Sequence, residues 1–278
     1  MSPLESNAPA ARRPGNPGLR ILAMFLRHYW VITGSWPRLL EMMYWPTVQI
    51  VLWGFLTQFL ATNSTFVAQA FGVLLSGAIL WDVLFRGQLG VSVSFLEEMW
   101  SRNLAQLFIS PLRTYEFAAS LMLMSLFRTL IGIVPASVLA MAFFGFNVYE
   151  LGFSLVLFFA NLIVFGWALA LAICGLILRF GMGAENLAWT LMFALAPICG
   201  IYYPISTLPE WLQMIALALP ASHVFEGMRA VMVDHVVRWE LMGYAAMLNI
   251  VYLVLGSAAF FALFEKSRES GQFIHIGE

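Results

Sequence analysis

A short acidic segment between two apolar stretches is the first group of residues whose chemistry needs an explanation. Residues 95–111 read FLEEMWSRNLAQLFISP, in which Glu98 stands four residues before Arg102. At that spacing the two side chains share one face of a helix. The segment is therefore predicted to be a short amphipathic helix with an acidic start. It is either an interfacial loop helix with a solvated charged face or a docking surface for a soluble partner.

Three further charged residues stand within or beside apolar stretches. Arg128 lies deep inside one of them, where a charge costs ~2.5–3.5 kcal/mol on insertion scales and usually faces protein or water. It is either a cation that lines a path for anionic substrates or a structural partner of an acid or of helix carbonyls. Asp82 precedes Arg86 by four residues, and the two are predicted to form a structural pair near the cytoplasmic end of a predicted membrane span, residues 67–85.

Motifs for catalysis by this chain alone are missing. A phosphate-binding loop needs a lysine after glycine, but the only lysine is Lys266 and it follows Glu265. The sequence contains neither HExxH nor GxSxG, and its four histidines are far apart. We therefore predict that the chain is not an enzyme by itself and holds no metal and no cofactor.

The elements that carry these residues are predicted to be membrane helices. Hydrophobic residues make up 61% of the 278 residues and charged residues 10%, against about 25% charged in soluble domains. Runs such as 151–174 are apolar on every face, which favours an all-α membrane protein. About 20 residues cross a bilayer, and six transmembrane helices are predicted: 39–60, 67–85, 117–144, 152–178, 185–203 and 241–264.

The distribution of basic residues predicts the orientation. Eleven of the 14 lysine and arginine residues fall on the side of the termini, which should therefore be cytoplasmic. They are Arg12, Arg13, Arg20, Arg27, Arg38, Arg86, Arg102, Arg113, Arg179, Lys266 and Arg268.

Proline content divides the chain into a lead-in and one domain, and it marks a broken segment within that domain. Residues 1–18 are rich in proline and are predicted to be a disordered lead-in. Residues 19–278 are predicted to form one transmembrane domain, which starts with an amphipathic helix along the membrane surface. Residues 200–235 contain Pro204, Pro209 and Pro220, so they should form two short helices that re-enter the outer leaflet as a hairpin.

Polar and small residues within the spans suggest packing contacts. Asn161 and Asn249 can hydrogen-bond between helices, and Gly166, Ala170 and Cys174 form a stripe that lets another helix approach closely. Aromatic residues on the first and fifth spans either line a substrate path or face lipid. The path candidates among them are Tyr44, Trp53, Tyr202 and Tyr203, and Arg128 is added to this set.

Two stretches of sequence resemble the membrane subunit of an ABC type-2 transporter. The series Gly200, Tyr203, Pro204, Leu208, Pro209, Trp211, Pro220 and Arg229 is similar to the family's G, aromatic, P, LPxW, P and R pattern. Residues 107–117, LFISPLRTYEF, resemble the family's Pro-Leu turn that opens the third span. The order of features along nearly the whole chain is similar as well.

The resemblance implies a permease of the bacterial cytoplasmic (inner) membrane that works as a dimer, with a second permease copy, and binds two copies of a cytoplasmic ABC ATPase subunit. ATP and Mg would be bound by that ATPase. The implied coupling residues are Glu97, Glu98, Met99, Arg102 and Asn103, with Arg20 and Arg27 as a second contact. The implied residues of the re-entrant hairpin are Pro204, Pro209, Trp211, Pro220 and Arg229.

The expected function is ATP-driven export of an amphiphilic substrate, such as a drug-like compound, a lipid or a lipid-linked saccharide. A polysaccharide exporter and a non-transporting membrane scaffold for envelope or cofactor assembly are the alternatives.

Overall fold

The computed structural model describes residues 16–63 and 65–269, and in these ranges all regular secondary structure is helical. The α-helices are α1 Pro17–Thr33, α2 Trp36–Asn63, α3 Thr65–Trp100, α4 Leu104–Ile109, α5 Thr114–Phe144, α6 Phe153–Phe180, α7 Asn186–Leu195, α8 Glu210–Leu217, α9 Pro220–Arg229 and α10 Trp239–Glu269. Short 3-10 turns precede α6, α7 and α8, and a π-helical turn, Ala230–Asp234, follows α9.

Among the described residues, five helices are long and apolar enough to cross a membrane. Four of them, α2, α5, α6 and α10, confirm the predicted first, third, fourth and sixth spans, with bounds shifted by a few residues. The fifth, α3, was predicted to end at residue 85 but continues to Trp100. Its 36 residues make a rod of about 54 Å at 1.5 Å per residue. The separate helix predicted over 95–111 is therefore wrong, because its first half is the end of α3.

The predicted fifth span is a helix of only 10 residues, α7, so the described residues do not confirm a sixth membrane-spanning helix. Pro197 has no N–H for the helical ladder, and the backbone continues after Leu195 as turns. The chain nevertheless returns along the bundle in this region, since α10 runs parallel to α6. Asn249 contacts Asn161 in the first halves of the two helices, and Ser267 contacts Leu178 near their ends.

The bundle is built around α3 and α6. Most of α3 is buried, whereas the outer faces of α2 and α10 carry many exposed apolar side chains. Two hydrophobic clusters fill the interior, one toward the α8–α9 end and one around the ends of α3, α6 and α10. Exposed apolar side chains around a hydrophobic interior are the pattern of a helical protein whose solvent is lipid.

Close helix contacts confirm two of the predicted packing features. The Asn249 Nδ2 amide donates to Asn161 Oδ1 at 2.9 Å. A Cβ on Gly166 would come within 3.0 Å of the backbone of α3 at Leu84 and Gln88. The small residue at 166 therefore allows α3 and α6 to pack at short range, as the sequence suggested.

The predicted lead-in falls mainly on residues 1–15, which lie outside the described residues. Helical structure begins at Pro17, two residues earlier than predicted, and the Asn16 side chain caps it by accepting from Gly18 N at 3.0 Å. Gly34 ends α1, and α2 begins at Trp36 with Pro37 in its first turn.

Candidate coupling site and transport path

The acidic residues predicted for coupling form the last turn of α3 and are largely buried. Glu98 and Met99 are each only 3% exposed. The Arg27 Nη2 of α1 donates to Glu98 Oε2 at 2.9 Å, and His28 Nε2 of α1 lies 3.1 Å from Glu98 Oε1. The Glu98 carboxylate therefore binds α1 of the same chain and does not face solvent.

Glu97, the neighbouring carboxylate, is paired on another side of α3. Arg128 of α5 donates from Nη2 to Glu97 Oε2 at 2.8 Å, and Arg38 of α2 lies 3.8 Å from Oε1. In an α-helix the Cα–Cβ bonds tilt toward the N-terminus of the helix. For Arg128 this direction is toward the start of α5. This tilt lets Arg128 reach the end of α3 from the middle of its own helix. Arg128 therefore has the acidic partner that the structural alternative required.

A third carboxylate, Glu116, holds the start of α1. It is fully buried, and its Oε1 accepts from Arg20 Nη2 at 2.6 Å. Its other oxygen accepts from the backbone N–H of Arg113 at 2.9 Å, which closes a capping box at the start of α5. Sequence reasoning missed Glu116, although an acid three residues after a Pro-Leu-Arg turn is the signal that marks it.

The charged residues of α1 thus contact the protein, and one apolar face of the helix points outward, while Met24 and Ile32 are buried. Leu19, Leu22, Leu26 and Trp30 are all at least 41% exposed, and they recur at helical spacing. An outward apolar face on a surface helix fits contact with lipid. Arg20 and Arg27, which were predicted to face an ATPase, are engaged by Glu116 and Glu98.

The exposed part of the predicted coupling segment is the turn between α3 and α4. Trp100, Ser101 and Arg102 are exposed, and Arg102 has a left-handed backbone with φ of 55°. The Asn103 amide donates to Ser101 Oγ at 2.9 Å, and Ser101 Oγ donates to the Glu97 carbonyl at 2.7 Å. This turn is firmly bonded to the end of α3 and is open to a partner.

The Asp82–Arg86 pair is confirmed, with Arg86 Nε donating to Asp82 Oδ2 at 2.5 Å. Its predicted place near the end of a span is wrong. In the spanning segment Gly72–Trp100, Asp82 and Arg86 fall near the middle. Asp82 and Gln49 also line a cavity among α2, α3 and α5. Charged groups at such depth require the pairing that is observed.

Two of the five path candidates meet in one contact. The rings of Trp53 on α2 and Tyr202 stack with centroids 4.3 Å apart. Tyr44 is exposed on the outer side of α2, and the Tyr203 hydroxyl donates to the Pro197 carbonyl. Arg128 belongs to the ion-paired region instead, so the five candidates do not form one site.

The segment that follows α7 has irregular backbone whose polar groups are satisfied by α9. Arg229 donates from Nη1 to the Gly200 carbonyl at 2.7 Å, and Glu226 Oε1 accepts from Ile205 N at 2.8 Å. Glu226 also accepts from Arg229 Nη2 at 2.8 Å. Arg229 and Glu226 thus supply partners for the Gly200 carbonyl and the Ile205 N–H of this non-helical segment. Glu226 was missed because an acid three residues before an arginine has no special signature.

The two short helices predicted over 200–235 are confirmed as α8 and α9. Pro204 and Pro209 precede the 3-10 turn and α8, Trp211 is exposed on α8, and Pro220 opens α9. Their re-entry into the membrane stays a prediction. Among the described residues, no group of three or more His, Cys, Asp or Glu side chains is placed to hold a metal ion.

The fold and these sites define a class, namely a multi-pass helical membrane protein with internally paired charges and an irregular return segment. The family model described as "ABC-2 type transporter" matches residues 21–233. The chain therefore belongs to the ABC-2 type transporter family, and the resemblance inferred from residues 107–117 and 200–229 is confirmed. As a member of this family it is a membrane component of a transporter and is not catalytic alone.

Individual relatives match a smaller part of the chain. Two proteins named capsule polysaccharide export inner-membrane protein BexB, from Haemophilus influenzae, are each 35% identical over 95 residues. The matched part is 34% of this chain and 35% of the relative. The chain thus aligns with about a third of the length of these curated relatives.

Proposed function

We propose that this chain is the permease subunit of an ATP-driven exporter in the bacterial cytoplasmic (inner) membrane. The observation that carries the proposal is the family match over residues 21–233. Two copies of a separate ABC ATPase would supply the energy and bind ATP and Mg, and this chain would bind no cofactor. Both termini would be cytoplasmic, as the positions of the basic residues suggest.

The sixth crossing would be made by α7 together with the irregular segment after it. The parallel packing of α6 and α10 supports this, because the chain between them has to return along the bundle. The α8–α9 hairpin would then dip into the outer leaflet before α10. Arg229 and Glu226 would stabilise the broken backbone at that depth.

The ATPase would dock on the turn of residues 101–103 and on the adjoining Trp100, because Trp100 and Arg102 are exposed. A second permease copy would cover part of the exposed apolar surface of the bundle. That surface includes Tyr44, Leu52 and Phe55 on α2, which are 59%, 62% and 59% exposed. An identical second chain is the simplest partner for such a surface.

We propose a lipid-linked saccharide as the substrate, within the wider class of amphiphilic molecules. The name of the relatives supports a saccharide, and the partly exposed aromatic pair Trp53 and Tyr202 offers ring faces on which a sugar can stack. A polysaccharide without a lipid anchor is the second candidate, supported by the same name. A drug-like compound or a simple lipid would be indicated by transport that does not depend on the sugar.

The test is copurification of the cognate ATPase with this chain, followed by an assay in proteoliposomes. Arg102→Glu should weaken ATPase binding at least tenfold, because it reverses an exposed charge on the docking turn. Arg238→Glu is the matched control, since Arg238 is also exposed, lies before α10 and pairs only with Asp234 among the ion pairs of the described residues. A wild-type chain that does not bind the ATPase would support the scaffold alternative and overturn the proposal.

A further inference from the structure

The end of α3 carries two neighbouring carboxylates that bind different helices. Glu98 contacts α1 through Arg27 and His28. Glu97 contacts α5 through Arg128 and α2 through Arg38. Successive residues of a helix are separated by about 100° of rotation, since 3.6 residues make one turn. One turn of α3 therefore reaches three other helices in two directions.

The exposed turn that follows is bonded to these same two residues. Ser101 Oγ donates to the carbonyls of Glu97 at 2.7 Å and Glu98 at 3.2 Å. The backbone N–H of Asn103 donates to the Glu98 carbonyl at 3.1 Å. A displacement of the turn of residues 101–103 is therefore expected to move Glu97 and Glu98 with it.

Neither carboxylate is well placed to contact a partner protein directly. Glu98 is 3% exposed, and the Glu97 side chain is 23% exposed and already paired with Arg128. Charge-assisted hydrogen bonds of this kind are about twice as strong as neutral ones. Breaking one side of a buried pair is costly because the other charge stays buried. If the end of α3 moves, the pairs Glu98–Arg27 and Glu97–Arg128 are therefore expected to move the helices that they bind.

We propose that Glu97 and Glu98 are positioning residues that divide one movement between α1 and α2. Glu98 passes a displacement of the turn of residues 101–103 to α1, and Glu97 passes it to α2. Helix α5 contacts both branches, through Arg128 and through the pair of Glu116 with Arg20 of α1. The proposal rests on the proposed function, in which nucleotide binding by a partner ATPase moves this turn. It differs from the role implied by the family resemblance, in which Glu97 and Glu98 would contact the ATPase directly.

The experiment follows α1 and α2 separately in the purified permease–ATPase complex in nanodiscs. A spin label is placed through Leu22→Cys on α1 or Leu40→Cys on α2, which are 46% and 48% exposed. Native Cys174 and Cys199 are buried, so the introduced thiol is the reactive one. The readout is the change in label mobility on trapping with ATP and vanadate.

In the otherwise unchanged chain both labels should respond to ATP and vanadate. Glu98→Gln should at least halve the response at residue 22 and leave the response at residue 40. Glu97→Gln, the matched variant one residue away, should do the reverse. A merely structural role would lower both responses together. If the glutamine variants accumulate poorly, Arg27→Gln and Arg38→Gln test the same links from partly exposed side chains.

Equal effects on both labels, no effect on either, or the reversed pattern would each overturn the division of movement. These outcomes leave the proposed function standing, provided that the ATPase binds and the unchanged chain responds. A chain that neither binds the ATPase nor responds to ATP and vanadate would overturn the proposed function itself, and this inference with it.

Discussion

The α6–α10 interface and the junction at the end of α3 hold helices together by opposite means. Between α6 and α10 the backbones touch, and a Cβ on Gly256 would overlap the Ala168 carbonyl oxygen. At the end of α3, long side chains span the gaps between helices, as in Arg128–Glu97 and Arg27–Glu98. Backbone contact leaves no room for relative movement, whereas long charged side chains can follow a displaced partner. The first interface fits a rigid unit, and the second fits a moving joint.

The largest effect is expected where the backbones touch. Gly256→Ala should lower the free energy of unfolding by about 3 kcal/mol, because overpacking forces α6 and α10 apart. The measurement is thermal unfolding of the detergent-solubilised chain by fluorescence-detected size exclusion. Gly243→Ala on the same helix is the control, since a Cβ there meets no atom within 4 Å. It should be neutral or stabilising, by up to ~1 kcal/mol from helix propensity. Equal losses in both variants would contradict the rigid-unit interpretation.

A smaller effect is expected in the junction for Arg128→Ala. The change should cost about 2 kcal/mol, less than for a fully buried pair, because Glu97 keeps Arg38 nearby and its side chain is 23% exposed. Folded yield and ATP-dependent transport are measured together. Arg238→Ala is the control, because its pair with Asp234 is exposed and worth little.

Arg128→Ala also separates the two roles considered for this residue. Lower yield with intact transport per folded complex would establish Arg128 as a structural partner of Glu97. Lost transport of an anionic substrate at normal yield would make it a path-lining cation and would remove it from the junction.

The sequence predicted the local pairs better than the joints between helices. Asp82–Arg86 was predictable, because an i, i+4 spacing places the two side chains on one face of a helix. Asn161 and Asn249 were expected to hydrogen-bond between helices, but the sequence did not pair them with each other. The extent of α3 was not predictable from charge pattern. From the sequence alone Glu97 and Glu98 look like part of a solvated loop, because their partners Arg27, His28 and Arg128 come from two other helices, α1 and α5.

The direction of the charged face of α1 was missed for the same reason. Helical periodicity placed Arg20 and Arg27 on a polar face, but a face that binds water and a face that binds buried carboxylates have the same pattern. The positions of Glu116, 96 residues from Arg20, and of Glu98, 71 residues from Arg27, distinguish the two cases. The early end of α7 could have been read from Pro197, which lies inside the predicted fifth span.

The hydrogen bonds between Asn249 and Asn161 should contribute less to the free energy of unfolding than the backbone packing between α6 and α10. Asn249→Ala removes the hydrogen bonds from Nδ2 to Asn161, at 2.9 Å and 3.0 Å. We expect a loss of about 1 kcal/mol in the free energy of unfolding. Met247→Ala, an exposed position on the same helix, serves as the control. A loss as large as that of Gly256→Ala would mean that polar bonding, rather than backbone contact, holds α6 to α10.

The smallest effect is expected for Arg27→Gln at the junction. The Arg27 side chain is 38% exposed, and His28 remains against Glu98 after the change. The loss in stability should be about 0.5 kcal/mol at low salt and should shrink at 1 M salt, where the screening length falls to about 3 Å. Arg268→Gln, in the exposed pair with Glu265, gives the baseline for a surface pair. A large, salt-independent loss in Arg27→Gln would show that α1 is fixed rigidly to α3, and the contrast between the two regions would then fail.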